Sequence, residues 1–218
     1  MKCILVTGGA GFIGTNFVYY WLDKYPRDHI IVLDALTYAG NRLNLIAADK
    51  VQNFKFVHGN ILNQDLVERL LKEENINTIV HFAAESHVDR SIHSPDDFIN
   101  TNIVGTHSLL KAARKIWIDR QSKDHRFHHV STDEVFGTLS PADPPFSETT
   151  PYAPNSPYAD SKASLTHPES LIRHVTDRAG HDRRYAINAE KITSDLGYLP
   201  EENFETGIAK NPGLVSEK

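Results

Sequence analysis

The chain has 218 residues, 40% of them hydrophobic, with a formal net charge of −5, which is enough for one large domain with a sizeable buried core and a small appendage. Lysines and arginines are scattered rather than gathered into a basic stripe, which leaves a nucleic-acid partner without electrostatic support. The only cysteine, Cys3, excludes an internal disulfide and a zinc ribbon, and no apolar run reaches membrane-spanning length; the opening run stops at Thr7-Gly8-Gly9, too short for a signal-peptide core, so a cytoplasmic location is expected.

Cys3 to Val6 is a short continuous apolar run ending in glycines, as expected of a strand buried on both faces of a parallel sheet. Gly8, Gly9, Gly11 and Gly14 follow, and Phe12, Ile13, Phe17, Val18, Trp21 and Leu22 then recur with helical period. Strand, glycine turn and helix come in the order of a dinucleotide site, where the backbone approaches a pyrophosphate at the helix N-terminus. His29 to Asp34 is predicted as the second strand, and Asp34 stands where an acid binds the adenosine ribose hydroxyls. An acid there repels a 2′-phosphate, so NAD is favoured over NADP; the competing role for Asp34 is to cap the next turn.

Asn53 to Val57 is the third predicted strand, with Gly59-Asn60-Ile61 as its exit loop, and Leu62, Leu66, Val67, Leu70 and Leu71 mark an amphipathic helix. Thr78 to Phe82 is the fourth strand, and Ala83 and Ala84 beyond it are small enough to let the chain pass close to a flat cofactor. A long helix is expected from about Asp96 to Trp117, with Phe98, Ile99, Ile103, Leu109, Leu110, Ala113 and Ile116 on its apolar side; Arg126 to Ser131 is the fifth strand. The alternation predicts a Rossmann-like, doubly wound α/β fold with a parallel sheet of at least five strands. His125, His128 and His129 lie close together, but strand spacing puts His128 and His129 on opposite faces and no Cys or acid completes a ligand set, so no metal is expected.

Thr132, Asp133 and Glu134 follow the fifth strand. Adjacent strand residues point to opposite faces, so both acids reach one substrate only if the strand has ended; Gly137 and the proline-rich stretch from Thr138 to Pro157 favour that ending, with helix capping or solvated acids as the competing role. Tyr158 then opens a helix after Pro157, and Lys162, four residues on, shares its face. A phenol titrates at about pH 10, and a neighbouring ammonium together with the positive nicotinamide ring would bring Tyr158 into the range of a working base. Such a pair also occurs by chance on solvated helix faces.

The runs Thr7-Gly8-Gly9-Ala10-Gly11-Phe12-Ile13-Gly14, Leu36-Thr37-Tyr38-Ala39-Gly40-Asn41, His81-Phe82-Ala83-Ala84-Glu85-Ser86-His87-Val88-Asp89-Arg90-Ser91, Thr101-Asn102-Ile103-Val104-Gly105-Thr106, Ser131-Thr132-Asp133-Glu134-Val135-Phe136-Gly137 and Ser156-Pro157-Tyr158-Ala159-Asp160-Ser161-Lys162-Ala163 carry a resemblance. The chain resembles the extended short-chain dehydrogenase/reductases and, within them, the dTDP-glucose 4,6-dehydratases, nearly unbroken over residues 1–164. Epimerases of the superfamily share the glycine motif and the Tyr/Lys pair; Thr132-Asp133-Glu134 points to the dehydratases. The resemblance implies a lyase of deoxysugar biosynthesis that uses NAD to turn dTDP-glucose into its 4-keto-6-deoxy product. It also implies a homodimer, built from the 96–117 helix and helices of the later region.

The resemblance further implies that Thr132, Asp133, Glu134, Tyr158 and Lys162 are catalytic. Tyr158 would take the proton of the sugar O4, Thr132 hold that oxygen, Glu134 remove the C5 proton, Asp133 protonate the departing C6 hydroxyl, and Lys162 hold the nicotinamide ribose. Cofactor contacts are implied for Gly8, Gly11, Phe12, Ile13, Gly14, Asp34, Ala35, Leu36, Thr37, Asn60, Ile61, Phe82, Ala83, Ala84, Ser86, Thr101, Tyr158 and Lys162. Asn60 stands where the family usually has an acid beside the adenine. Substrate contacts are implied for Ser86, Thr132, Asp133, Glu134, Asp177, Arg178 and His181.

After Ser164 the resemblance breaks. The rest of the Tyr/Lys helix, a further strand, an Asn-x-Tyr-Gly-Pro loop and most of the substrate-binding region are missing; Asp177 to Ile187 then resembles the family's closing stretch, and Asn188 to Gly197 reads as a short helix with an Asn cap and a Gly stop. Pro168 is expected to end the Tyr/Lys helix early. The expected organisation is an NAD-binding domain over 1–164 and a reduced C-terminal nucleotide-sugar-binding region over 165–218, docked on the first or mobile. Two other readings stand beside the active dehydratase: an NAD-binding chain without activity, and another nucleotide-sugar epimerase or dehydratase.

Overall fold

A computed structural model describes residues 1–118, 124–164, 184, 186–203 and 206. Five strands, β1 (Cys3–Thr7), β2 (His29–Asp34), β3 (Phe54–His58), β4 (Thr78–His81) and β5 (Arg126–His129), form one all-parallel sheet in the order β3-β2-β1-β4-β5. The order reverses between β1 and β4, so the crevice beyond their C-terminal ends is the natural binding place of the fold.

Side chains alternate across the strands and build two cores. Ile4, Val6, Ile30, Val32 and Val80 face α1 (Phe12–Lys24), whose Val18 and Leu22 close that layer. Leu5, Ile31, Leu33 and Ile79 face the other way, against Val67, Leu70 and Leu71 of α2 (Gln64–Glu73). Each such aliphatic chain, fully buried, contributes about 1.5–3 kcal/mol relative to exposure. Both helix starts follow from local chemistry: Asn63 accepts from the Leu66 N–H at 3.0 Å and caps α2, whereas α1 begins at Gly11 with no side-chain cap.

The segment expected as one long helix is composite. A short helix, α3 (Val88–His93), precedes it; then come α4 (Pro95–Phe98), a π-helical stretch (Ile99–Gly105), α5 (Thr106–Ala113) and a second π-helical stretch (Arg114–Ile118). Apolar periodicity shows that a helix is present but not an extra residue within a turn, which tertiary packing imposes. The first π stretch brings Asn102 inward, with its amide donating to the Glu85 carbonyl at 2.9 Å and to the Ser161 hydroxyl at 2.8 Å. Leu109, Ala112 and Ala113 of α5 and Trp117 beyond it complete the second core.

After β5, a 3-10 turn (Asp133–Phe136) leads into the proline-rich loop, which packs back on it through Phe136–Phe146 and Phe136–Tyr152 ring contacts, both 5.1 Å between centroids. Helix α6 (Pro157–Ala163) is capped by Ser156, whose hydroxyl accepts from the Ala159 N–H at 3.1 Å. Farther on, Phe146 and Ile187 form a parallel bridge, with Phe146 N–H donating to the Ala186 carbonyl and Asn188 N–H to that of Phe146, each at 2.8 Å. Helix α7 (Glu190–Leu196) begins with the Asn188 side chain accepting from Glu190 N–H at 2.8 Å and stops at Gly197, left-handed at φ 65°. Pro168 lies outside the described residues.

His128 and His129 do point to opposite faces, exposed and half-buried in turn. His129 packs its ring 5.2 Å from that of His81, and both of its ring nitrogens are buried without a partner among the described residues. Burial pushes its pKa down to about 4, and holds that of His81 well below the usual 6.5. The unfolded chain therefore binds more protons below pH ~6.5, and stability falls as pH drops from there toward 4. We expect urea unfolding to show this loss, on the order of 1–2 kcal/mol for His129 after discounting its partial exposure, and His129→Phe to reduce it by that share while leaving stability at pH 8 little changed.

Candidate active site

The crevice beyond β1 and β4 is a cleft of about 360 Å³. Its floor is set by a buried polar chain: His81 Nδ1 shares a hydrogen bond with Thr7 Oγ1 at 2.6 Å and His81 Nε2 with Thr106 Oγ1 at 2.8 Å, joining β1, β4 and α5. Gly8 follows Thr7 with φ 69°, and a Cβ placed there would stand 2.6 Å from the Ala83 nitrogen, so only glycine permits this approach of the two strand ends. The uncapped N–H groups at the start of α1 open on the cleft beside Gly8, Gly11, Phe12, Ile13 and Gly14. That is a ready anion site for a pyrophosphate.

Asp34, 7% exposed, is placed for both purposes weighed for it in the sequence. Its Oδ1 accepts from Leu36 N–H at 2.8 Å and its Oδ2 from Ala10 N–H at 2.9 Å, so it does hold the following turn. Each oxygen keeps a lone pair for a ribose hydroxyl, and the carboxylate lines the cleft. Ala35, Thr37, Asn60, Ile61, Phe82, Ala83, Ala84, Ser86, Thr101, Tyr158 and Lys162 line it as well. The glycine turn, the free helix N-terminus and the acid fit a dinucleotide without a 2′-phosphate.

Leu36 is the exception. It does not line the cleft but packs on the α1-side core from a left-handed backbone conformation, φ 51°, that Asp34 holds in place. Gly40, Gly59, Glu85, Val130 and Ser131 line the cleft without having been expected to. Glu85 sat inside a quoted motif and could have been found there. Its buried Oε2 has no partner among the described residues, and burial raises its pKa.

β5 ends at His129, two residues short of the expected Ser131, so Asp133 and Glu134 fall on the 3-10 turn and no longer alternate as strand residues. Thr132 caps that turn, its hydroxyl accepting from Glu134 N–H at 3.3 Å. These three residues flank the cleft at Tyr158 rather than line it. Tyr158 and Lys162 are both on the buried face of α6, 9% and 5% exposed, with Phe98 edge-on to the Tyr158 ring. Lys162 Nζ donates to the Val130 carbonyl at 2.7 Å. Asp177, Arg178 and His181 lie outside the described residues.

The electrostatics correct one expectation. The Tyr158 phenol is pushed up, by burial first and then by the Glu134 carboxylate, while the Thr132 hydroxyl pulls the other way; Lys162 does not bring it down. Lys162 is itself pushed down to about 8 by burial. An ammonium removed from water gives up its proton more readily, so Lys162 keeps most of its charge at pH 7 and loses it as the pH rises past about 8.

The family model described as GDP-mannose 4,6 dehydratase matches residues 5–174. A dTDP-glucose 4,6-dehydratase of Xanthomonas campestris pv. campestris (strain B100) is 51% identical over 324 aligned positions that cover 96% of this chain and 92% of the relative. That alignment is longer than the 218-residue chain, so the relative has internal positions that this chain lacks. Among solved structures, DesIV, a dTDP-glucose 4,6-dehydratase from Streptomyces venezuelae with NAD and TYD bound, superposes with a TM-score of 0.81 at 32% identity, covering 96% of this chain and 95% of that one. A UDP-glucose 4-epimerase from Thermus thermophilus in complex with NAD reaches a TM-score of 0.65 at 31% identity, covering 78% of this chain and 50% of the other.

The Lys162 environment sets a pH signature. Its folded pKa lies below the ordinary 10.5, so between about 8 and 10.5 the unfolded chain binds more protons and this group's contribution to stability rises with pH. Relative to Lys162→Met, the unliganded wild type should gain up to ~3 kcal/mol from pH 7.5 to 10 in denaturant melts. A constant difference across that range would refute the buried-ammonium account.

Proposed function

We infer the function from one premise: this chain belongs to the dTDP-glucose 4,6-dehydratase family, within the group that the GDP-mannose 4,6 dehydratase model describes. It is a lyase that uses NAD to dehydrate dTDP-glucose to the 4-keto-6-deoxy sugar nucleotide. The observation that carries this reading is Tyr158 buried within electrostatic reach of both Glu134 and Asp133, beside a cleft fitted for a dinucleotide. A homodimer and a cytoplasmic location belong to the same reading; among the described residues no helix is long and apolar enough to cross a membrane.

In this proposal Gly8, the start of α1, Asp34 and Lys162 hold the cofactor. A bound NAD supplies the acceptor for the hydrogen and electron pair leaving C4, their donor back to C6, and the positive ring that favours the Tyr158 phenolate. Tyr158 takes the O4 proton, with Thr132 donating to the same oxygen. The C4 ketone acidifies the C5 hydrogen, which Glu134 removes as a proton. Protonated Asp133 gives its proton to the C6 hydroxyl, which departs as water as the C6–O bond breaks. Glu134 then returns a proton to C5 when C6 is reduced. Protons taken up at Tyr158 and Glu134 balance those given to water and to C5, and the net change is loss of one water.

A second reading, NAD binding without turnover, is favoured by the internal positions that the Xanthomonas relative has and this chain lacks. Incubation with dTDP-glucose bearing deuterium at C4 separates the two. Turnover gives a dehydrated product with the deuterium at C6. No product above a Tyr158→Phe control, with NAD still bound, selects the second reading. In an active chain Tyr158→Phe and Glu134→Gln should each lower kcat by ~10²–10⁴, and Asp133→Asn should slow elimination more than C4 oxidation.

A further inference from the structure

Two rims of the cleft approach each other above its floor. One is the turn after β2, where Thr37, Ala39 and Gly40 line the cleft; the other is the segment after β4, where Ala84, Glu85 and Ser86 line it and α3 follows. The first rim is anchored at its base by Asp34 on Leu36 N–H and by Asn41 N–H on the Ala10 carbonyl at 3.1 Å. The second is anchored by Asn102, which bonds both backbone groups of Glu85, and by Ser91, wholly buried. Between these fixed bases, Tyr38 on one rim and Arg90 on the other meet at exposed tips: the guanidinium carbon stands 4.2 Å from the centroid of the Tyr38 ring. No hydrogen bond or ion pair holds either side chain among the described residues, so the ring contact is what joins the rims there. Arg90 is also within electrostatic reach of Glu85, and Tyr38 of Tyr158, which places the contact at the catalytic end of the cleft.

The reaction read above reduces its cofactor when C4 is oxidised and reoxidises it when C6 is reduced, within a single turnover. A dinucleotide that escaped between those steps would leave an unsaturated ketone with no reductant. We propose that Tyr38 and Arg90 form a clasp across the cleft that slows the escape of the bound dinucleotide, positioning rather than catalytic residues for the reaction. The proposal rests on the NAD-dependent reading. An exposed guanidinium–aromatic contact is strong enough to slow release about two- to fivefold and weak enough to open for exchange.

The test is the release rate of NADH from the full chain, followed in a stopped-flow by its fluorescence on mixing with excess NAD. Arg90→Ala, Arg90→Gln and Tyr38→Ala should each speed release about two- to fivefold, and Tyr38→Phe, which keeps an aromatic face, should release at the wild-type rate. The double variant Tyr38→Ala/Arg90→Ala should be no faster than either single, because one contact is lost in all three. Thermal melts matching the wild type show that the exposed substitutions leave the fold intact; Arg90→Gln carries the comparison if Arg90→Ala melts early. Unchanged release in the single variants, additive effects in the double, or a Tyr38→Phe rate equal to Tyr38→Ala overturns the clasp. Failure of the wild type to bind NADH at all overturns the functional reading and the clasp with it, whereas binding with unchanged release overturns the clasp alone.

Discussion

The contact on which the site depends is the approach of the ends of β1 and β4. Thr7, His81 and Thr106 hold each other through both ring nitrogens of a buried imidazole, and Gly8 lets the chain after Thr7 lie against Ala83. A buried polar group without partners would cost several kcal/mol, so satisfying both nitrogens makes this a fixed geometry rather than a tolerated one. The cleft is the space that the fixed geometry leaves. Its proximity to α1 is what turns the uncapped backbone N–H groups there into a place for negative charge.

A second clamp carries that geometry to the proposed catalytic residues. Asn102, buried in a π-helical stretch, bonds Glu85 on both backbone sides and the hydroxyl of Ser161, which in turn donates to the Tyr158 carbonyl at 2.7 Å. One side chain thereby sets the loop after β4 and the helix of Tyr158 and Lys162 relative to each other. Among the described residues lining the cleft, Lys162 is the only lysine or arginine, and burial lowers its pKa to about 8. A bound nicotinamide ring would add positive charge there, against the burial that raises the Tyr158 phenol.

Much of this was legible in the chain itself. The glycine spacing, Asp34 at the end of β2, the alternation of strands and helices, and the four-residue step from Tyr158 to Lys162 are local patterns, and each is read from neighbours in sequence. Other features were not. The π-helical stretches, the short α3 and the early end of β5 arise where a turn of backbone is adjusted to side chains far away in sequence, such as Asn102 to Ser161.

The sequence by itself determined the class of fold and the dinucleotide character of the first half, because those follow from residue type and spacing; the acids and phenol proposed for the chemistry came from the resemblance of the motifs that hold them. Tertiary structure alone decided that Asp34 both braces its turn and faces the cleft, and that Leu36 turns into the core. It also decided that burial and the Glu134 carboxylate raise the Tyr158 phenol while burial lowers Lys162. The reason is physical: dielectric environment and the meeting of side chains from separate elements depend on distances that no local pattern encodes.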